Sequence, residues 1–146
     1  MADRIDVIKE AGKAVANMKT ERERIEKLLL DGVEKALTVV EADGKRNCPV
    51  DDGRLRASIT HAVEATPEQA RGRVGTNVDY APYVHEGTGI YARNGNGRKK
   101  PWVYTDPKTG ERVFTRGQKP RPFLRDAMEQ NRDKIAQIFK EATDKL

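Results

Sequence analysis

The stretch "SITHAVEATPEQARGRVGTNV", residues Ser58–Val78, decides the fold class. Its first part alternates. Ile59, His61 and Val63 face one way, and Thr60, Ala62 and Glu64 face the other. That period of two belongs to a half-buried strand. "TPEQ" supplies a turn, and "ARGRVGTNV" returns as a second short strand, so the pair reads as an antiparallel hairpin. Helical patterns stand on both sides of it.

Upstream, apolar residues and one glycine fall at Ile5, Ile8, Gly12, Val15 and Met18, then at Ile25, Leu29, Val33, Ala36 and Val40. Steps of three, four and seven make one face of a helix. "TERERIEK", Thr20–Lys27, interrupts this face with charge nearly all round. Thr20 followed by Glu23 has the form of a capping box. Either one long helix projects beyond the domain or a break falls near Lys19–Arg24; the favoured expectation is a short first helix over 1–19, projecting or mobile, and a longer second one ending near Gly44. Asp51, Asp52 and Gly53 then make a turn, and Leu55–Ser58 forms a helical turn or the entry to the first strand.

Downstream, "YAPYVHEG" is expected as one short helix stopped by Gly87, with Pro82 in its first turn. Residues 88–101 hold three glycines and four basic side chains and read as a flexible basic loop. "PWVYTDPKTGERVFT" is the clearest hairpin, spanning 102–115, with Pro107 and Gly110 in its turn. A terminal helix then begins near Pro122. Its buried stripe is Leu124, Ala127/Met128, Asn131, Ile135, Ile138/Phe139 and Ala142. Helices, strands and a final helix in this order predict an α+β fold with an antiparallel sheet of about four short strands, in one domain over 1–146.

Charge is uneven. The chain carries +5, yet Thr88–Arg125 alone holds ten Lys and Arg against Asp106 and Glu111. That segment is +8, which leaves −3 for the rest. A local basic surface meets phosphate or an acidic partner, or is simply a solvated loop. Only 36% of residues are hydrophobic and 35% are charged, a lean core to which a partner subunit could add burial. The single cysteine, Cys48, excludes an intrachain disulfide and fits a reducing compartment. No apolar run reaches signal-peptide or membrane-span length. A protein made in a cytoplasm, without membrane contact, is expected.

Catalytic chemistry finds little support. His61, His85 and Cys48 are the nitrogen and sulfur ligands, with no CxxC, HExxH or HxH spacing among them. Cys48 follows a helix rather than opening one, so no helix dipole favours its thiolate. "GNGRKK" matches neither phosphate-binding glycine pattern. No catalytic residue, metal ligand or cofactor is expected. A polar contact at a helix end or an interface is the plainer reading of His85 and Glu86.

Three motifs carry a resemblance when taken in order. They are "CPVDDGRLRASI" (Cys48–Ile59), "VGTNVDYAPYVHEGT" (Val74–Thr88) and "GQKPRPFLRDAM" (Gly117–Met128). Together they resemble the tail-completion proteins of long-tailed bacteriophages, also called head–tail joining, neck or minor tail component proteins. The matching positions are Pro49, Val50, Asp52, Gly53 and Leu55, then Tyr80, Ala81, Tyr83, Val84, Gly87 and Thr88, then Pro122, Phe123 and Leu124. His85 and Glu86 stand where members often have an acid and then an aromatic.

The resemblance implies a structural, non-enzymatic role in the virion. It implies a hexameric ring around the DNA channel, and leaves open whether the subunit is a monomer before assembly. It also implies a head connector or stopper protein and a tail tube protein as partners. Tyr80, Tyr83, His85, Glu86, Trp102 and Phe123 are then candidates for core or interface, with Phe114 beside them. Arg93, Arg98, Lys99, Lys100, Arg116 and Lys119 are candidates to face DNA or an acidic neighbour. The alternative reading is a nucleic-acid-binding module that uses the basic loop over 93–100, with non-specific phosphate contact. A small hydrolase around Cys48 and His85 is a third.

Overall fold

A computed structural model describes residues 2–51, 53–66 and 68–146, with side chains of the first helix from Ile8 onward. Asp52 and Pro67, both expected in turns, and the side chain of Ile5 lie outside the described residues.

Helix α1 runs without a break over Ala2–Asn47. The expected interruption near Lys19–Arg24 is absent, and the reason is local. Glu, Arg and Lys are strong helix formers. Arg22 pairs with Glu26 at 3.2 Å and Arg24 with Glu21 at 3.6 Å along the helix surface. The Thr20 hydroxyl, instead of capping a new helix, donates back to the Ala16 carbonyl at 3.1 Å. Residues 8–25 of this helix are exposed throughout. From Gly32 onward one face is buried, through Ala36, Val40, Gly44 and on to Cys48.

Two compact units make up the chain. The first comprises Met1–Leu37, Ala62–Arg73 and Asp133–Leu146. Strands β1 (Thr60–Ala65) and β2 (Ala70–Gly75) pair as a two-stranded sheet and give it most of their length. His61 and Val63 of β1 are half-buried while Thr60, Ala62 and Glu64 are exposed, as the alternation predicts. Strand β2 approaches α1 closely at Gly72. A Cβ there would lie 2.3 Å from Leu37 Cδ1 and 2.8 Å from Val33 Cγ1, so only glycine admits this contact. Helix α5 (Arg132–Asp144) brings the Phe139 ring against Gly32 of α1.

The second unit comprises Thr38–His61 and Val74–Arg132. Its core is Cys48, Leu55, Ile59, Val78, Ala81 and Phe123, with Val74, Val84 and Leu124 packed at the edge. Leu55 lies on the short helix α2 (Arg54–Ser58), which settles that stretch as a helical turn. Ala81 opens α3 (Ala81–Glu86), with Pro82 in its first turn as expected. Gly87 stops α3 at φ +83, a backbone region that favours glycine.

Strands β3 (Trp102–Thr105) and β4 (Arg112–Thr115) form a separate antiparallel pair, with Val103 opposite Phe114 and Trp102 opposite Thr115. The four strands thus lie in two sheets rather than one. The C-terminal stretch is also two helices, because α4 (Phe123–Gln130) ends before α5 begins. Asn131 stands between them, buried. It donates its amide to Asp43 Oδ2 at 2.7 Å and to the Ala127 carbonyl at 2.8 Å.

Candidate functional site

Helix α4 starts with a defect that the rest of the unit repairs. Pro122 occupies the N-cap position and makes no side-chain cap. The Arg125 N–H in the first turn would then lack an acceptor. His85, forty positions earlier on α3, supplies one. The Arg125 N–H donates to His85 Nε2 at 3.3 Å. Since a backbone amide can only donate, Nε2 must accept and Nδ1 carries the proton. Nδ1–H in turn donates to Glu86 Oε1 at 2.6 Å.

Glu86 gathers cations around this pair. Arg125 Nη2 donates to its Oε1 at 2.7 Å, and Arg93 Nη1 stands 3.9 Å from Oε2. The His85 ring meets Phe123 edge-on, with centroids 5.3 Å apart. Phe123, only 1% exposed, is the largest fully buried side chain of the core. Both ring nitrogens of His85 are therefore engaged in holding α4 onto α3. The pair does structural work, and no nucleophile shares its hydrogen bonds. Arg125 is the member that sequence reasoning missed. The available signal was Pro122, which cannot cap its own helix from a side chain and so requires an acceptor from elsewhere.

Cys48 lies in the core, 2% exposed, and its thiol donates to the Pro49 carbonyl at 3.4 Å. Burial pushes its pKa up, against the opposing pull of Arg56 and Arg121. A buried, protonated thiol is a poor nucleophile. His61 is engaged with Glu41 at 3.0 Å. The structure does not bring Cys48, His61 and His85 together through any of these contacts. Among the described residues no three His, Cys, Asp or Glu side chains group as a metal site. No helix among them is long and apolar enough to cross a membrane.

The other aromatic candidates lie on the surface. Tyr83 is 62% exposed. Tyr80 precedes α3, with the Arg54 guanidinium 5.8 Å from its ring centre. Trp102 is half-buried, and Arg98 stacks over it at 5.3 Å. Tyr83, Trp102 and Arg98 line one cleft of about 420 Å³, with Pro82, Asn94 and Asn96.

The basic candidates are all exposed. Lys119 sits 5.9 Å from the Tyr91 ring, and Lys99 donates to the Gly95 carbonyl at 2.8 Å. Lys100 and Arg116 face outward. The start of the glycine-rich segment is tied to the irregular segment that follows β4. Thr88 N–H donates to Gln118 O at 2.9 Å, Ile90 N–H to Arg116 O at 3.1 Å, and Gln118 N–H to Thr88 Oγ1 at 2.9 Å.

Residues 12–87, a little over half of the chain, match the model of the HK97-gp10-like family, described as "Bacteriophage HK97-gp10, putative tail-component". The chain belongs to that family, and its role is that of a structural component of a phage tail, hence of the virion. No curated protein and no solved structure matches it significantly.

Proposed function

We propose that this tail component completes the head-proximal end of the tail. It forms a hexameric ring that joins the tail tube to the head connector or stopper protein, with DNA passing through the bore. No chemistry is performed. Membership of a tail-component family over residues 12–87 carries this reading. Exposed Tyr83 and half-buried Trp102, which line one cleft with Arg98, supply docking area of the kind that anchors interfaces. A closed ring requires two different faces per subunit. Arg93, Arg98, Lys99, Lys100, Arg116 and Lys119 meet an acidic neighbour or the DNA backbone without reading sequence. Subunits remain monomeric until docking.

Electron microscopy of particles lacking the protein tests the reading. Unjoined heads and tails are expected. Normal infectious particles would refute it. The nucleic-acid module is separated by DNA titration at several salt concentrations. Tight binding by the isolated chain, with a steep salt slope lost in an R98A/K99A/K100A variant, would favour the module instead.

A further inference from the structure

The basic loop repeats one dipeptide. Asn94–Gly95 and Asn96–Gly97 stand side by side, and no other asparagine of the chain precedes a glycine. Both asparagines are exposed. Asparagine before glycine is chemically labile, because glycine has no side chain to keep its backbone nitrogen away from the neighbouring side-chain amide. By sequence the two pairs are alike. The fold treats them differently.

Asn94 is held on both sides of the bond that would form. Its Oδ1 accepts the Asn96 N–H at 2.9 Å. The nitrogen that would attack it, on Gly95, donates to the Ala92 carbonyl at 3.0 Å. Asn96 is held on neither side. Among the described residues its side-chain amide makes no hydrogen bond, and neither does the Gly97 N–H. Lys99 folds back over this loop, its Nζ donating to the Gly95 carbonyl at 2.8 Å, and Arg98 and Lys100 adjoin it in the chain. Positive charge beside an amide N–H favours loss of its proton. That loss is what makes the Gly97 nitrogen a nucleophile.

We propose that Asn96 is a modification site, at which the folded chain ages by deamidation while Asn94 is spared. The Gly97 nitrogen attacks Asn96 Cγ. A Cγ–N bond forms, the Cγ–Nδ2 bond breaks, and ammonia leaves with the Gly97 proton, which closes a cyclic imide. Water then opens the imide. Cleavage at Cγ leaves aspartate. Cleavage at the main-chain carbonyl leaves isoaspartate, whose backbone runs through the former side chain. Nothing is oxidised or reduced, and water is the only co-reactant. Either product puts a carboxylate beside Arg98, Lys99 and Lys100. Isoaspartate also lengthens the main chain by one methylene, next to a residue seated without slack. A Cβ added at Gly97 would lie 2.0 Å from the Gly89 carbonyl oxygen and 2.6 Å from Ala92 Cβ. The lengthened chain therefore leaves this seat and reshapes the cleft that Asn96 and Gly97 line with Arg98 and Trp102. The proposal does not rest on the ring reading.

Incubation of the full chain in mildly alkaline buffer tests it. Fragmentation mass spectrometry of the tryptic peptide Asn94–Arg98 separates the two sites, and enzymatic methylation detects isoaspartate. Asn96 is expected to convert about tenfold faster than Asn94, since two hydrogen bonds must open before Asn94 reacts. In urea the two rates should converge, because the unfolded chain presents the same dipeptide twice. Equal rates in the folded chain, or faster loss of Asn94, would overturn the proposal. So would a folded chain that keeps Asn96 intact while the unfolded chain converts. Emission of Trp102, the sole tryptophan, should shift in step with isoaspartate and stay constant in an Asn96→Gln chain. Isoaspartate without that shift would overturn the reshaping of the cleft.

Discussion

Replacing His85 with alanine removes the acceptor of the Arg125 N–H, the donor to Glu86 and the edge-on contact with Phe123 at one stroke. Loss of a helix cap costs about 1 kcal/mol. Loss of the hydrogen bond to the carboxylate costs roughly 1 kcal/mol more, discounted because Glu86 is partly solvated. The aromatic contact adds about 0.5–1 kcal/mol. The total is about 2.5–3 kcal/mol, which in a chain of this size lowers the melting temperature by roughly 5–10 °C.

Thermal and urea unfolding followed by circular dichroism give the stability change. Amide exchange gives its location, since the Arg125 N–H should lose protection first. His85→Gln keeps an acceptor at nearly the same reach and should recover at least half of the loss. Glu86→Gln should cost less than His85→Ala, because the carboxylate is half-exposed and its pairs are screened. A His85→Ala chain within about 0.5 kcal/mol of the parent, with unchanged exchange at Arg125, would refute the capping argument.

Two further outcomes follow from packing and burial. Gly89 and Gly95 both have positive φ, +61 and +74, but only Gly89 is crowded, with a Cβ placed 2.0 Å from the Arg116 carbonyl oxygen. Gly95→Ala should cost about 1–2 kcal/mol of backbone strain, while Gly89→Ala should cost several-fold more in urea unfolding. Equal costs would refute the assigned contact. For Cys48, the raised pKa means that the folded state holds its proton more tightly than the unfolded chain does. This contribution is fully present at neutral pH and is lost as pH rises above the ordinary thiol value of 9.0. Stability of the parent should fall more steeply above pH 9 than that of Cys48→Ala, and Cys48 should resist thiol reagents until the protein unfolds.

Several elements were legible in the residues alone. The two-residue alternation from Thr60 to Glu64 set which side chains of β1 turn inward. Pro82 and Gly87 bounded α3, and "DPKTGE" joined β3 to β4. These are local matters, decided within a few residues by backbone sterics and side-chain period. The uncapped start of α1's second half misled for an equally local reason. Thr20 and Glu23 have the letters of a capping box, but a helix that continues upstream leaves no free N–H for the box to satisfy.

What only the tertiary structure decided involves residues far apart in the chain. Burial separated Phe123 from Tyr80 and Tyr83, although all three are aromatic and each stands in one of the motifs that carry the resemblance. Asn131 stands between the last two helices with its amide donated to Asp43, 88 positions away. The His85–Glu86 pair reads as chemistry in one dimension because its vacant hydrogen-bond positions look available. In three dimensions the α4 amide and the Arg125 guanidinium fill them. Sequence determined the elements, through interactions within a turn or two of chain. The fold determined which side chains remained free to meet another molecule, because occupancy of a polar atom is settled by whatever the distant chain brings beside it.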